Sequence, residues 1–104
     1  MIDLIKRAFG IKPPVDFTKL VNQGAIILDV RTLSEYSSGH IKKSLHIPLN
    51  EIATNLHKLP HKDIPIITCC ASGMRSSKAA GILKANGHTT VYNGGGWSQL
   101  QNKL

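Results

Sequence analysis

The chain has 104 residues, 41% apolar and 18% charged, which suits one compact domain and leaves little room for a second. No run approaches the roughly 20 apolar residues needed to cross a bilayer, and the composition is not that of a disordered chain. A formal charge of +7 favours anionic partners, but the 13 basic residues are scattered and aromatics are few, so no nucleic-acid platform is expected.

Residues 1–14, with Ile2, Ile5 and Phe9 on one side, read as a short amphipathic arm ahead of a domain over 15–104. Its apolar part is too short for a secretory leader, so a soluble cytoplasmic protein is expected. Asp16 caps a helix whose Phe17, Leu20 and Val21 share a face, and Gly24 ends it. "AIILDV" (25–30) is a strand covered on both faces. "TLSE" (32–35) is a capping box, and "SLHIP" (44–48) is a short strand stopped by proline. Leu49, Ile52, Leu56 and Leu59 recur at helical spacing up to Pro60. "IPIITC" (64–69) is a second buried strand. Residues 76–86 form a helix with Ala79, Ala80 and Leu83 inward and Gly87 as its stop. "TTVYN" (89–93) is a last strand, and "GGGWSQLQNKL" closes the chain as a helix anchored by Trp97 and Leu100. The alternation predicts a small α/β domain, a mostly parallel sheet flanked by helices on both faces.

In such folds the crevice lies beyond the carboxyl ends of the strands. "CASGMR" (70–75) joins a strand to a helix there, so its amides can curl around an anion while the helix dipole adds positive potential. A thiol in that position is expected to ionise below its ordinary pKa of about 8.5. Two cysteines compete for the role. From Cys70 the frame to Arg75 is Cys-x4-Arg, and from Cys69 it is Cys-x5-Arg. Cys69 falls on the apolar alternation of its strand, where burial raises a thiol's pKa. Adjacent cysteines make a strained disulfide, so free thiols in a reducing compartment are expected.

"LDVRTLSEYSSGHI" (28–41), "HIPLNEI" (46–52), "CASGMRS" (70–76) and "NGGGW" (93–97) together resemble a single-domain rhodanese, a sulfurtransferase, from about Asp16 onward. The resemblance implies a persulfide on Cys70, formed from a small anionic donor such as thiosulfate and passed to cyanide, a thiol or a sulfur-carrier protein. It places Ala71, Ser72, Gly73, Met74 and Arg75 in the substrate-binding loop, with Cys70, Ser72, Gly73 and Arg75 on the family's Cys-x-Ser-Gly-x-Arg pattern. It implies no cofactor or metal and a monomer away from membranes. Relatives that hydrolyse phosphate use a loop one residue longer. Cys69-x5-Arg75 satisfies that count, so phosphatase or arsenate-reductase-like chemistry on Cys69 stands as the alternative, beside a non-catalytic persulfide carrier. Lys42-Lys43 replace the family's usual Pro-Gly, and this departure is expected to add positive charge to the rim of the site.

Asp29, Arg31 and Ser76 are candidate supporting residues, with Arg31 and Glu35 expected to form an ion pair. Arg75 suits two roles, a fork for the donor's anionic group or a brace for the loop. His40 is expected to bond backbone. His57 and His61, split by Pro60, make no metal site. Gly94-Gly95-Gly96 is read as a close approach to the active loop rather than a phosphate loop.

Overall fold

The computed structural model describes residues 14–104, so nearly all of the expected N-terminal arm lies outside the described residues. Asp16 caps α1 (Phe17–Asn22) by accepting from the Lys19 amide at 3.0 Å. Four parallel strands follow in the spatial order β2–β1–β3–β4: β1 (Ile26–Asp29), β2 (Leu45–His46), β3 (Ile66–Cys70) and β4 (Val91–Gly96). Between β1 and β2 lies α2 (Leu33–Ser38), opened by the predicted capping box: Thr32 Oγ1 accepts from the Glu35 amide, and Glu35 Oε1 from the Thr32 amide. After β3 comes α3 (Met74–Ala85), and after β4 comes α4 (Trp97–Asn102).

The α/β class and the helices on both faces are as expected, and alternation along the strands builds two cores. Leu28, Ile66 and Cys70 pack with Ile52, Ala79 and Leu83 under α3. Ile27, Ile67 and Cys69 pack with Leu100, Phe17 and Leu20 under α1 and α4.

Several boundaries differ from the sequence reading. The stretch 49–59 is two 3-10 turns, Leu49–Thr54 and Leu56–Lys58, rather than one α-helix. Asn55 breaks it: its φ of −126° is not helical, and its Nδ2 donates to the Glu51 carbonyl at 2.8 Å, taking an acceptor that an α-helix needs. Helix α3 starts at Met74 instead of Ser76, because Gly73 at φ +105° turns the chain directly into the helix. Strand β4 runs through Gly94–Gly96. Thr68 pairs with Asn93 and Cys70 with Gly96, so β4 carries one extra residue, a bulge. A Cβ on Gly94 would lie 2.8 Å from both the Ile67 side chain and the Thr68 carbonyl, which explains glycine there.

Candidate active site

Strand β3 continues one residue further than expected and ends on Cys70, leaving Ala71-Ser72-Gly73 as the only link to α3. The Cys70 sulfur accepts a hydrogen bond from the Gly73 amide at 2.9 Å, and as a thiol donates to Ser76 Oγ at 3.4 Å. Burial pushes this thiol up, but the Ser76 hydroxyl and the amides of Ser76, Gly73 and Ser72 outweigh it, and the pKa falls below its ordinary value. Cys70 is only 1% exposed. Ala71 and Ser72, which follow it, are exposed.

Cys69 points the other way. It is wholly buried in the core beneath α1 and α4, and its thiol is pushed up to about 12, first by burial and then by Asp29. The Cys69-to-Arg75 frame is therefore not assembled: its two ends belong to different faces of the sheet.

Asp29 and Arg31 accompany Cys69, not Cys70. Asp29 pairs with Cys69 across the β1–β3 ladder. Arg31 Nη2 donates to Asp29 Oδ2 at 2.8 Å and to the Gly39 carbonyl at 2.7 Å, and its guanidinium lies 4.6 Å from the Trp97 ring. These two buried charges brace the end of β1 against α2 and α4. The expected Arg31–Glu35 ion pair does not form. Arg31 meets only the Glu35 carbonyl, at 3.2 Å, because the Glu35 carboxylate reaches across to Arg75.

That contact is bidentate, Nη1 to Oε1 at 2.7 Å and Nη2 to Oε2 at 2.8 Å. The Arg75 fork, with the capping contacts of Thr32, holds the Glu35 carboxyl at about 2, against an ordinary 4.5. One carboxylate thus closes the cap of α2 and ties it to the first turn of α3. Of the two roles open to Arg75, the brace is the one occupied. Met74, the other expected loop residue on α3, is 75% exposed and turned to solvent.

Asn93 belongs to the site and sequence reasoning did not single it out. Its Oδ1 accepts from Ser76 Oγ at 2.6 Å and from the Gly95 amide at 2.9 Å, and its Nδ2 donates to the Gly73 carbonyl at 3.2 Å. The Asn-Gly-Gly string signals the local turn to Gly95; nothing in the string signals a partner 17 residues away. The glycine run approaches the loop as expected, since a Cβ on Gly73 would sit 3.4 Å from Gly95 Cα. Lys42 and Lys43 do not reach the rim. They border a groove with Val21, Gly24 and Ala25, toward the amino-terminal end of β1. Their turn is closed by the Ser44 amide on the Ile41 carbonyl at 3.0 Å, with Lys43 at φ +69°. His40 bonds backbone as expected, Nδ1 to the Tyr36 carbonyl at 2.8 Å.

The chain is similar to known proteins in sequence and fold. The family model described as Rhodanese-like domain matches residues 13–103. Thiosulfate sulfurtransferase GlpE of Pseudomonas savastanoi pv. phaseolicola is 34% identical over 88 residues, covering 85% of this chain and 82% of the relative. A Bacillus subtilis protein, YrkF, whose given name is that of a sulfur carrier, is 39% identical over 82 residues, 79% of this chain and 42% of its own. Among solved structures, a rhodanese with anions from E. coli superposes with a TM-score of 0.68 at 30% identity, covering 72% of this chain and 89% of that one. The human single-domain sulfurtransferase TSTD1 shares the fold, with a TM-score of 0.74 at 23% identity over 89% and 98% of the two chains. A parallel sheet that delivers one cysteine to a three-residue turn, matched over nearly its whole length by such relatives, places this chain in the rhodanese-like family.

Proposed function

We propose that the protein is a sulfurtransferase that carries sulfane sulfur as a persulfide on Cys70, with thiosulfate as a competent donor. The observation that carries this reading is the Cys70 sulfur held 2.9 Å from the Gly73 amide at the head of α3, its pKa lowered by neutral donors rather than by a cation. The Cys70 thiolate attacks the outer sulfur of thiosulfate. A Cys70 S–S bond forms, the donor's S–S bond breaks, and its electron pair leaves on sulfite. An acceptor thiolate then attacks the outer sulfur of the persulfide, and the electron pair of the breaking S–S bond returns to Cys70. With cyanide the product is thiocyanate.

Ser76 and Asn93 support the ionisation. A hydroxyl has one proton. While Cys70 is a thiol, Ser76 receives its S–H and donates to Asn93; once the sulfur is ionised, the Ser76 proton turns to it and Asn93 Oδ1 keeps its bond from Gly95. No histidine is needed as a base, in keeping with a thiol whose pKa its hydroxyl and amide donors lower.

The test is intact-protein mass after thiosulfate treatment: a gain of one sulfur atom in wild type and in Cys69→Ser, and none in Cys70→Ser. Transfer to cyanide should follow the same pattern, falling at least about 1,000-fold in Cys70→Ser, as when a covalent nucleophile is removed. A persulfide that survives in Cys70→Ser would overturn the assignment. The carrier reading draws on the 1% exposure of Cys70 and on the likeness to YrkF. It predicts full persulfide loading with slow turnover on cyanide and fast turnover only on a protein thiol.

A further inference from the structure

Beside the active loop lies a groove of about 620 Å³ whose walls are Val30, Pro48, Leu49, Ala53 and Ile82. Thr32, Asn50 and Arg75 also border it, and the sequence neighbours of Thr32 and Arg75, Leu33 and Met74, are 67% and 75% exposed. They are the most exposed large apolar side chains among the described residues; the other two, Val15 and Leu104, lie at 41% and 43%. The Arg75–Glu35 pair bridges the helix starts that carry them. The groove thus reaches the active loop at Arg75, with exposed Met74 next to it and Leu33 on the helix that Glu35 ties to Arg75.

The charge beside Met74 is positive. Among the described residues no carboxylate lines the groove; Glu35 beside it is held by Arg75, and exposed Glu51 follows the lining residue Asn50. Helix α3 carries Arg75, Lys78 and Lys84 with no acid, and exposed Lys78 lies four residues from Met74, on the same helix face. Small acceptors such as cyanide need none of this apolar area.

We infer that this surface, the groove with Leu33, Met74 and Lys78, docks the sulfur acceptor, and that the acceptor is a cysteine-bearing segment of an acidic protein with apolar residues beside its cysteine. The inference rests on the proposed persulfide of Cys70 and specifies what takes the sulfur. Apolar neighbours of the acceptor cysteine fill the groove and cover Leu33 and Met74, and its acids face Lys78. Its thiolate is brought to the loop, where it attacks the outer sulfur, forms the new S–S bond and returns the electron pair to Cys70.

The test uses three synthetic heptapeptides as acceptors from thiosulfate-loaded full-length protein: Glu-Glu-Leu-Cys-Leu-Glu-Glu, the same with serines for the leucines, and the same with lysines for the glutamates. Wild type should use the first with kcat/KM about tenfold above either of the others, since losing one apolar anchor or a set of opposed charges is each worth about that much. The double variant Leu33→Asp/Ala53→Glu should lose about tenfold on the first peptide, through KM, while its transfer to cyanide stays within about twofold. Both substituted positions are exposed, which keeps the fold intact. Equal use of the three peptides by wild type, or unchanged use of the first by the double variant, overturns the inference. Fluorescence anisotropy of a labelled first peptide with serine for cysteine reads docking without chemistry. Binding by wild type that weakens in the double variant upholds the surface even if no sulfur is transferred, and in that case the persulfide reading alone fails. Absence of a difference between the two proteins sinks the surface whatever the transfer rates.

Discussion

The two faces of the sheet handle buried ionisable groups in opposite ways. Beneath α1 and α4, Asp29 and Arg31 cancel each other as a buried ion pair, and Cys69 beside them stays protonated to about pH 12. Beneath α3, among the described residues, no ion pair touches Cys70, and neutral donors, the Ser76 hydroxyl and three amides, favour its anion. One step along β3 separates these environments. Full charges lock a framework, whereas oriented dipoles leave a single anion favoured and uncompensated, which is what a nucleophile requires.

The sharpest way to break this contrast is alkylation by iodoacetamide across pH. Cys70 should remain reactive below the ordinary thiol pKa, and Cys69 should stay inert until the protein unfolds, a difference of at least about 100-fold at pH 7. Comparable rates at the two sulfurs would remove the contrast. Next in size is Asn93→Asp, which places a carboxylate where Ser76 now donates. It should draw the Ser76 proton away and repel the thiolate, lowering Cys70 alkylation at pH 7 by about tenfold with little effect on melting temperature. Asn93→Ser, which keeps an oxygen acceptor, should recover part of the loss.

Glu35→Gln tests the brace between α2 and α3. The pair is partly solvated, so the expected loss is only about 1 kcal/mol in denaturant unfolding. The folded pKa is depressed, so the stabilisation is fully present above pH 4.5 and fades as pH falls toward 2; the variant should erase that part of the acid transition. A separate loss begins nearer neutrality. Burial and Lys62 depress His88, whose Nδ1 has no hydrogen-bond partner among the described residues, so the fold favours its neutral form and stability should decline as pH falls below 6.5. The smallest effect belongs to Lys43→Gly, on the Cys69 side. Relief of the left-handed backbone should outweigh the added chain entropy by about 0.5 kcal/mol and leave sulfur chemistry unchanged.

What the sequence disclosed was local. The Thr32–Glu35 capping box, the Asp16 cap and the buried strands around Ile27 and Ile67 depend on residues a few positions apart, and periodicity reports them. The burial of Cys69 also followed from its place in the apolar alternation; that the strand runs on to Cys70 and turns it to the opposite face did not. Contacts across long separations were not legible: the Arg75 fork closes on Glu35 40 residues away, and Asn93 reaches Ser76. The 49–59 segment misled because leucine spacing records which side is inward, while the Asn55 side chain decides between 3-10 and α hydrogen bonding. Lys42 and Lys43 were misplaced because a string does not say at which end of the sheet a turn falls.

The opposed orientation of residues 69 and 70 also limits how the proposed persulfide would discharge. The chain has two cysteines in all, and the second faces away into packed apolar side chains, so it supplies no resolving thiol. The lifetime of the proposed Cys70 persulfide would then be governed by whatever acceptor or reductant reaches it, and an oxidised Cys70 would depend on the same visitors for repair.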